Sequence, residues 1–534
     1  MLEGFTPWPE ARATFYREQG CWEGKTLAQL LADQALRHPQ HIAVKEGTRQ
    51  CTYEMLWQRS QQLAAGLKSL GIEKEDRVVV QLPNTIAFVE TIFALFIIGA
   101  LPVFALPAHR YNEIQYFCAF SEAKAYITQR TYDQFDYETI AHRVKAEVAS
   151  LQHVIVVGET TFTSYDTLFS EQCYTHIDAT SSDVAFLQLS GGTTGLSKLI
   201  PRTHDEYIYT LKKSNEICRV TADTNFLVVL PVAHNYPMSS PGILGVIYAG
   251  GTIVMSQTAS PDEAFPLIAQ ERITMVALVP PIAIHWLFAK KMRTDDLSSL
   301  RVMLVGGAKL SVEVAKQIEP SFGCRLQQVF GMAEGLVNYT RLDDPIERIV
   351  TTQGKPLSPF DEIKVVDEED REVPIGTSGF LLTRGPYTIQ GYYKAPTHNA
   401  KSFTADGFYR TGDIVSVDED GYITVTGRDK DQVNRGGEKI AAEEIENHLL
   451  AHPAVKDAAI VAMPDRFLGE KTCAFIVKHQ AVDKKALIDF LAHRGIATYK
   501  IPDRIEWIDA FPQTALGKVN KKALRQKIEQ IVGV

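Results

Sequence analysis

The chain has 534 residues and a formal net charge of −9, and 45% of its residues are hydrophobic and 22% charged. This length and composition exclude a disordered or fibrous protein and predict more than one compact unit. Because nucleic-acid binding needs clustered lysine and arginine, the acidic balance argues against it, and small molecules or proteins are the expected partners.

The cysteines indicate a reducing environment. There are seven, spread through the chain without the C-x-x-C spacing of metal or redox sites. The first residues also lack a secretory signal, so we expect a cytoplasmic protein. The most apolar stretch, residues 91–107, is interrupted by Gly99, Pro102 and Pro107 and falls short of the roughly 20 residues of a membrane span. We expect no span there, but a buried helix followed by a strand.

Short apolar runs rich in β-branched residues alternate with helix-length segments in the first part of the chain. They lie at 77–82, 154–157, 226–230 and 275–279. This alternation predicts an α/β architecture with largely parallel sheets. Beyond residue 364 the elements become shorter and turn signals more frequent, which predicts antiparallel strands. The last hundred residues, with a helix predicted at 442–452, are typical of a compact α+β domain.

A glycine-rich segment follows the apolar run 184–187. Residues 189–198 read Leu-Ser-Gly-Gly-Thr-Thr-Gly-Leu-Ser-Lys. Glycine lets backbone N–H groups turn toward an anion, the hydroxyl side chains add donors, and Lys198 supplies a positive charge. The segment therefore predicts a phosphate-binding loop, although Ser197 stands where a P-loop has its second glycine. A flexible surface turn is the alternative interpretation.

This segment resembles the phosphate loop of the adenylate-forming superfamily, which includes acyl-CoA synthetases, luciferases and nonribosomal peptide adenylation domains. Four further segments resemble motifs of that family in the same order. They are 330–334 (Phe-Gly-Met-Ala-Glu), 409–413 (Tyr-Arg-Thr-Gly-Asp), 427–431 (Gly-Arg-Asp-Lys-Asp) and 512–518 (Pro-Gln-Thr-Ala-Leu-Gly-Lys). Such a set in sequence order is far more specific than any single motif.

The resemblance implies a division of the chain into two domains. An N-terminal α/β domain, residues 1–429, would contain two α/β layered sheets and a β-barrel-like subdomain. A small mobile α+β domain, residues 430–534, would follow, with its hinge at Lys430.

The resemblance also implies a site for ATP and Mg²⁺. Attack of a carboxylate on the α-phosphate brings two anions together, so cations and N–H donors must hold both reactants. Lys518 would bridge the carboxylate and the α-phosphate. Asp413 would bind the ribose hydroxyls with support from Arg428, and Glu334 would hold Mg²⁺. The predicted catalytic residues are Lys518, His234, Glu334 and Lys198. The predicted ATP-binding residues are Ser190, Gly191, Gly192, Thr193, Thr194, Gly307, Phe330, Gly331, Asp413, Arg428 and Lys518.

A polar and aromatic stretch, residues 231–242, predicts the acid pocket. Family members that activate α-amino acids usually carry aspartate at the position of Asn235, where it pairs with the ammonium group. Asn235 cannot form that ion pair, but its amide can donate to and accept from phenolic hydroxyls, and Ser240 adds a small polar partner. The stretch resembles the pocket of stand-alone enzymes that activate 2,3-dihydroxybenzoate for catechol siderophores. Salicylate is the close alternative, although its activating relatives are bulkier at the positions of Ser240 and Val337.

Other pocket residues are assigned by the same resemblance. His234 matches an aromatic residue that shifts between two conformations of the family, although a lone histidine is more often structural. Tyr236 would stack against the aryl ring, and residues 306–308 would form a narrow wall between that ring and adenine. Ordinary packing is the alternative for both. The predicted substrate-binding residues are Asn235, Tyr236, Ser240, Gly306, Gly307, Ala308 and Val337.

A second half-reaction follows from the family's domain rotation, which would bring residues 434–439 to the active site. Gly436 and Gly437 would let a phosphopantetheine arm pass close to the backbone, so that its thiol attacks the acyl-adenylate and expels AMP. The expected acceptor is an aryl carrier protein supplied in trans. Two alternatives stay open: an aryl-CoA ligase, and a non-catalytic nucleotide or aryl-acid binder, since a fold alone does not fix function.

Overall fold

The computed structural model describes residues 2–190, 197–307, 309–310, 312–428, 432–478, 480–512, 519 and 521–533, with the backbone alone at 313, 426–428, 432, 441, 443, 447 and 522. The helices are α1 Glu10–Glu18, α2 Leu27–Arg37, α3 Tyr53–Ser69, α4 Ile86–Ile98, α5 Tyr111–Phe120, α6 Tyr137–Glu147, α7 His204–Cys218, α8 Asn235–Ser239, α9 Gly242–Ala249, α10 Pro261–Gln270, α11 Pro280–Lys290, α12 Val312–Phe322, α13 Ile346–Thr351, α14 Pro396–Ser402, α15 Ala442–Leu450, α16 Lys484–His493 and α17 Lys521–Val532.

The strands are β1 Ile42–Glu46, β2 Arg49–Thr52, β3 Arg77–Gln81, β4 Leu101–Phe104, β5 Ala125–Gln129, β6 Thr131–Tyr132, β7 Phe135–Asp136, β8 His153–Val157, β9 Thr163–Ser164, β10 Val184–Leu189, β11 Leu199–Thr203, β12 Asn225–Val228, β13 Thr252–Met255, β14 Met275–Leu278, β15 Val302–Gly306, β16 Arg325–Met332, β17 Gly335–Tyr339, β18 Lys355–Pro356, β19 Glu362–Val366, β20 Gly379–Arg384, β21 Tyr409–Val417, β22 Ile423–Arg428, β23 Gln432–Arg435, β24 Glu438–Ala441, β25 Val455–Asp465, β26 Gly469–Lys478 and β27 Arg504–Trp507.

Two largely parallel sheets form the main body. The first has nine strands in the order β18-β17-β16-β15-β14-β12-β13-β1-β2, parallel from β16 to β1 and antiparallel at both edges. The second has the order β11-β10-β4-β3-β5-β8-β9 and is antiparallel only at the β10–β11 pair. All four apolar runs predicted as strands are strands of these sheets, which agrees with the expectation that parallel sheets bury both faces.

Helix α4 lies between the two sheets. Its thirteen residues are all buried. Its first N–H, on Ile86, donates to the carboxylate of Glu46 at the end of β1 (2.8 Å), and Phe96 packs against Phe186 on β10. The buried helix and following strand predicted at 91–107 are therefore found as α4 and β4. In the described part of the chain, no helix is long and apolar enough to cross a membrane.

The antiparallel sheet predicted after residue 364 consists of β19, β20, β21 and β22 in sequence order. Its apolar residues pack with Met332 and Leu336 of the β16–β17 hairpin, so this subdomain is attached at that hairpin. Over the described residues the four strands form an open sheet rather than the expected barrel-like closure. Each of the three strand pairs is antiparallel between consecutive strands, and in the described part of the chain no pairing joins β19 to β22.

The C-terminal region forms its own sheet, in the order β24-β23-β26-β25 with β27 paired to β26. Residues of α15 and α16 share a separate apolar core with these strands. This is the predicted α+β unit, and α15 ends at Leu450, two residues before the predicted end. The proposed hinge, Lys430, lies outside the described residues, so the boundary between 1–429 and 430–534 stays a prediction.

Candidate functional site

One cavity collects residues from both parts of the chain. Twelve of the residues predicted from the sequence line it, namely Ser190, His234, Asn235, Tyr236, Ser240, Gly307, Phe330, Gly331, Glu334, Val337, Asp413 and Gly437. Gly191, Gly192, Thr193, Thr194, Ala308, Lys430 and Lys518 lie outside the described residues, as does the side chain of Arg428. Three described positions, Lys198, Gly306 and Gly436, adjoin the lining rather than belong to it.

The glycine-rich segment starts and ends at a strand pair that leads to the cavity. Leu189 at the end of β10 pairs with Leu199 at the start of β11. The N–H of Ser190 donates to the carbonyl of Lys198 (2.9 Å), and the N–H of Lys198 donates to Oγ of Ser190 (3.0 Å). Because these two bonds close the base of the segment, Ser190 and Ser197 are held at the cavity.

The loop after β12 and the short helix α8 form the side of the cavity where the sequence predicted the aryl acid. His234 caps α8 by accepting a hydrogen bond from the N–H of Tyr236 at Nδ1 (3.2 Å). Burial, together with the charge of Lys439, lowers the pKa of His234 to about 4. The imidazole is therefore neutral near pH 7 and adds no charge beside an aryl acid.

Asn235 is oriented by a residue on α7. The hydroxyl of Tyr207 donates to Oδ1 of Asn235 (2.9 Å), and Oγ of Ser239 donates to the carbonyl of Asn235 (3.2 Å). Ser240, at the end of α8, is only 3% exposed. This side of the cavity thus carries neutral hydrogen-bonding groups, and their contact with an aryl acid stays a prediction.

Tyr236 and Gly306 are in close contact. A Cβ atom at Gly306 would lie 2.8 Å from the carbonyl oxygen of Val329 and 3.1 Å from Cζ of Tyr236, so this strand end leaves no room for a side chain. The hydroxyl of Tyr236 is buried and has no hydrogen-bond partner within the described structure. The sequence indicated only stacking for Tyr236 and gave no sign of this unpaired hydroxyl.

Val337 forms another wall of the cavity, on β17 opposite Gly331 of β16. Its side chain is 3% exposed. Its N–H donates to the hydroxyl of Tyr387 (3.1 Å), and its carbonyl accepts from the N–H of Leu357 (2.9 Å). The backbone of Val337 is therefore fixed on both sides, which keeps the wall in place.

Glu334 lies in the turn between β16 and β17 and lines the cavity. It is 8% exposed, and its Oε1 accepts a hydrogen bond from the hydroxyl of Tyr392 (2.8 Å). Arg202 donates to the carbonyl of the preceding residue, Ala333 (2.5 Å). Nζ of Lys198 lies 5.7 Å from the ring centroid of Tyr392. These contacts hold the carboxylate of Glu334 at the cavity, and Tyr392 is near both this carboxylate and Lys198.

Asp413 is on β21, in register with Arg428 on the neighbouring strand β22. It is 3% exposed, and its N–H donates to the hydroxyl of Thr411 (3.0 Å). The register places Asp413 directly opposite Arg428, and their roles at the ribose stay a prediction.

The loop 434–439 of the C-terminal region closes one side of the cavity. The amide of Asn434 donates to the carbonyl of Gly307 (3.3 Å). Gly437 adopts φ +99°, and a Cβ atom there would lie 3.2 Å from Val279. Two glycine backbones, at 307 and 437, therefore meet at the cavity where a thiol-bearing arm was predicted to pass. Gly436 lies beside them, against Leu468.

Several lining residues were missed by the sequence analysis. They include Phe104, Leu106, His109, Gln188, Tyr499 and Lys500. Burial, offset only in part by Glu113, lowers the pKa of His109 to about 3. Each lies in a segment without a motif, so only the fold brings it to the cavity.

Comparison with known proteins identifies the family. The family model described as AMP-binding enzyme matches residues 31–393, and the model described as AMP-binding enzyme C-terminal domain matches residues 444–518. The chain belongs to the AMP-binding enzyme family. The predicted membership of the adenylate-forming superfamily is confirmed.

Curated relatives cover nearly the whole chain. It is 60% identical over 532 residues to the 2,3-dihydroxybenzoate-AMP ligase of Bacillus subtilis, covering 99% of this chain and 98% of that protein. It is 51% identical to the vibriobactin-specific 2,3-dihydroxybenzoate-AMP ligase of Vibrio cholerae, covering 99% of each. Both relatives are ligases, which agrees with the predicted enzyme class.

Among solved structures, the apo structure of MbtA from Mycobacterium smegmatis matches with a TM-score of 0.77 and 43% identity, covering 98% of this chain and 99% of that one. The predicted fold class, a large N-terminal α/β domain with a small C-terminal domain, is confirmed.

Proposed function

We propose that this protein activates 2,3-dihydroxybenzoate with ATP and transfers the aryl group to the phosphopantetheine thiol of an aryl carrier protein in siderophore biosynthesis. One observation carries the proposal: the pocket residues Asn235 and Ser240 line the same cavity as the nucleotide residues Glu334 and Asp413. The two curated relatives, which are named for 2,3-dihydroxybenzoate, support this choice of acid. The seven free cysteines support a reducing, cytoplasmic location.

The aryl side of the cavity suits a phenolic acid better than an amino acid. Asn235 offers a neutral amide where an ammonium group would need a carboxylate, and Tyr207 engages its oxygen. The Nδ2 group of Asn235 then donates to one ring hydroxyl oxygen, and Ser240, which lines the same cavity, serves a second hydroxyl. Neutral His234 does not compete for the aryl carboxylate, which stays available for the reaction.

In the first half-reaction a carboxylate oxygen of the acid forms a bond to the α-phosphorus of ATP. The bond from that phosphorus to the bridging oxygen of pyrophosphate breaks, and pyrophosphate leaves with the electron pair. The protein's part is to align the two anions and offset their charge. Asp413 holds the ribose, the segment that starts at Ser190 binds phosphate oxygens, and Lys518 bridges carboxylate and α-phosphate.

The residues present fit Mg²⁺ bound together with the nucleotide. Mg²⁺ usually takes one or two protein carboxylates and completes its shell with phosphate oxygens and water. Glu334 supplies one such carboxylate, oriented through Oε1 by Tyr392. No cluster of three or more potential metal ligands exists among the described residues, which agrees with a metal that arrives with ATP. When bound, the ion would offset negative charge on the departing pyrophosphate.

In the second half-reaction the thiol sulfur forms a bond to the carbonyl carbon of the aryl-adenylate. The bond from that carbon to the phosphate oxygen of AMP breaks, AMP leaves, and the thiol proton passes to solvent. No enzyme nucleophile is needed. The backbone of Gly437 beside Gly307 gives a narrow arm an approach that bulky side chains would block.

Exchange of labelled pyrophosphate into ATP tests the adenylation step. We expect the highest rate with 2,3-dihydroxybenzoate when it is compared with salicylate, benzoate, cinnamate and the common amino acids. A higher rate with another acid would refute the pocket assignment while keeping the adenylation chemistry. If no acid supported exchange, the protein would be a non-catalytic binder.

The acceptor is tested separately. Transfer of the labelled aryl group is followed with a phosphopantetheinylated aryl carrier protein and with free coenzyme A at equal thiol concentrations. We expect the carrier to be loaded faster. Preference for coenzyme A would make the protein an aryl-CoA ligase and overturn the carrier assignment.

A further inference from the structure

A buried cluster of three charged side chains joins the C-terminal region to the main body. Nζ of Lys500 lies 3.0 Å from Oε1 of Glu113, and 2.8 and 3.0 Å from the two carboxylate oxygens of Glu444. The side chains of Lys500, Glu113 and Glu444 are 7%, 6% and 15% exposed. Charged groups are rarely buried to this extent unless they are paired.

The two glutamates of the cluster lie in different parts of the chain. Glu444 is on α15 and Lys500 is in the 3₁₀ turn Thr498–Lys500, so both belong to the C-terminal region. Glu113 is in the first turn of α5, in the main body. The Lys500–Glu444 pair therefore persists wherever the C-terminal region lies, whereas the Lys500–Glu113 pair exists only in the arrangement seen here.

Glu113 makes further hydrogen bonds, one within the main body and one to the C-terminal region. Its Oε2 accepts a hydrogen bond from the N–H of Arg110 (3.0 Å), which closes the start of its own helix. Its Oε1 accepts from the N–H of Ala497 across the contact (3.2 Å). The neighbouring Asn112 donates to the carbonyl of Arg494. The start of α5 is thus a docking point for the segment 494–500.

The charge states favour this contact. Burial alone would raise the pKa of Glu113, but Lys500 and the N–H of Arg110 hold it below its usual range. Burial alone would lower the pKa of Lys500, but Glu113 and Glu444 raise it above its usual value. Lys500 is therefore a cation near pH 7 and Glu113 an anion. Their attraction across the contact is strong because water is largely excluded.

This contact accompanies the arrangement in which Gly437 meets Gly307 at the cavity. We propose that Glu113 is a positioning residue for thiol transfer, which holds the C-terminal region through Lys500 with the loop 434–439 at the cavity. The proposal rests on the two-step function proposed above. The domain rotation expected between the two half-reactions moves the C-terminal region for adenylation, so the Lys500–Glu113 pair opens in that step and contributes nothing to it.

The variant Glu113→Gln tests the proposal because it keeps the shape and removes the charge. We expect the single-turnover rate of aryl transfer from preformed aryl-adenylate to the carrier thiol to fall on the order of tenfold. Pyrophosphate exchange should stay within about twofold of the wild-type protein.

Asn112→Ala, which removes an uncharged contact at the same docking point, should also lower the transfer rate, but by less than Glu113→Gln does. Glu347→Gln, an exposed glutamate on α13, is the matched control and should change neither rate.

Hydrogen–deuterium exchange measured on peptides that cover 494–500 gives a readout independent of activity. We expect these amides to exchange several times faster in Glu113→Gln than in the wild-type protein or in Glu347→Gln. Unchanged transfer with unchanged amide exchange would overturn the proposal. Equal losses in transfer and in pyrophosphate exchange would also overturn it, since they would indicate a general structural role. If the wild-type protein catalysed no pyrophosphate exchange, the proposed function would fail, while amide exchange would still decide whether Glu113 docks the C-terminal region.

Discussion

The hydroxyl of Tyr207 donates a hydrogen bond of 2.9 Å to Oδ1 of Asn235. Tyr207 is fully buried on α7, and Asn235 lines the cavity. Because Tyr207 engages the amide oxygen, Nδ2 is the end of Asn235 left to donate to a ligand. With its oxygen engaged in this way, the amide has its Nδ2 group left as a donor for a phenolic oxygen.

Replacing Tyr207 by phenylalanine should weaken recognition of the aryl acid. The amide of Asn235 would lose its orienting partner, and one hydrogen bond is worth ~1 kcal/mol. We expect KM for 2,3-dihydroxybenzoate to rise about fivefold and KM for ATP to stay the same. Pyrophosphate exchange, measured while each substrate is varied in turn, gives both values.

Tyr209 provides a matched control on the same helix. It is also buried, but its hydroxyl is paired with Oγ of Ser358 (2.6 Å) and not with Asn235. Tyr209→Phe should lower the unfolding temperature without a selective change in either KM. A parallel rise of both KM values in Tyr207→Phe would instead point to a disturbed helix.

Replacing Asp413 by asparagine should weaken ATP binding. A buried carboxylate accepts two ribose hydroxyls, whereas an amide offers only one acceptor atom, and hydrogen bonds to charged groups are worth about 1.5–3 kcal/mol. We expect KM for ATP to rise by roughly tenfold or more, with little change in KM for the aryl acid. Asp418→Asn, in the exposed turn that follows β21, is the control and should leave both values unchanged. A larger effect on the aryl acid than on ATP would contradict the ribose assignment.

Periodicity, turn residues and short motifs in the sequence predicted single helices and strands and the site residues that lie within motifs. The apolar run at 91–107 gave α4 and β4, because its length, its glycine and its prolines restrict it to a short helix and a strand. The motifs gave Ser190, Glu334 and Asp413 as site residues, and all three line one cavity. Each lies at or next to a strand, so the sheets bring them together.

Hydrogen bonds between residues far apart in the sequence could not be predicted from such local patterns. Arg202 and Glu206 have the i,i+4 spacing of an ordinary exposed helix pair, yet their side chains are 2% and 1% exposed. Arg202 is buried because it donates to the carbonyls of Ala333 and Tyr387, far away in the sequence. Such contacts depend on how whole elements pack, and no motif records them. The open antiparallel sheet likewise depends on packing against the β16–β17 hairpin.

Replacing Gly437 by alanine should impair thiol transfer. The residue has φ +99°, where an L-residue is strained, and a Cβ atom would lie 3.2 Å from Val279. The loop 434–439 would then sit less closely against the cavity. We expect the single-turnover transfer rate to fall roughly tenfold, while pyrophosphate exchange changes little. A quenched-flow measurement from preformed aryl-adenylate separates the two steps.

Gly469 provides the control for backbone strain. It has φ +77°, and a Cβ atom there would meet nothing within 4 Å. Gly469→Ala should therefore show the strain alone, as a lower unfolding temperature with normal transfer. If both alanine variants slowed transfer equally, crowding at Gly437 would not be the cause.

Because of Asp361, the free energy of unfolding should fall as pH rises, which is the opposite of the usual effect of an aspartate. Burial raises the pKa of its carboxyl group to about 8, although hydrogen bonds from the hydroxyl of Tyr387 (2.6 Å) and the N–H of Ser358 (3.2 Å) oppose this rise. The residue is partly exposed, but its Oδ1 atom is buried without a partner in the described structure. The desolvated carboxyl therefore favours its protonated form.

The sign of the effect follows from proton binding. The ordinary pKa of the group is 3.8 and its folded value about 8, so between these pH values the folded protein holds a proton that the unfolded chain has released. The contribution of Asp361 to stability is then complete below about pH 4 and is lost as pH rises toward 8. In Asp361→Asn the side chain is neutral at every pH, so this variant does not lose stability as pH rises toward 8. Relative to the wild-type protein, the free energy of unfolding of Asp361→Asn should increase by up to ~1.4 kcal/mol per pH unit between pH 5 and 8.

Urea unfolding at pH 5, 6, 7 and 8 measures this difference. Asp367→Asn is the matched control, because backbone N–H groups and Arg371 lower the pKa of that aspartate, so that its own pH dependence lies below pH 4. The difference between Asp367→Asn and the wild-type protein should therefore stay constant from pH 5 to 8. A constant difference for Asp361→Asn as well would mean that the carboxyl of Asp361 is ionised in the folded protein, and that the bond from Tyr387 outweighs its burial.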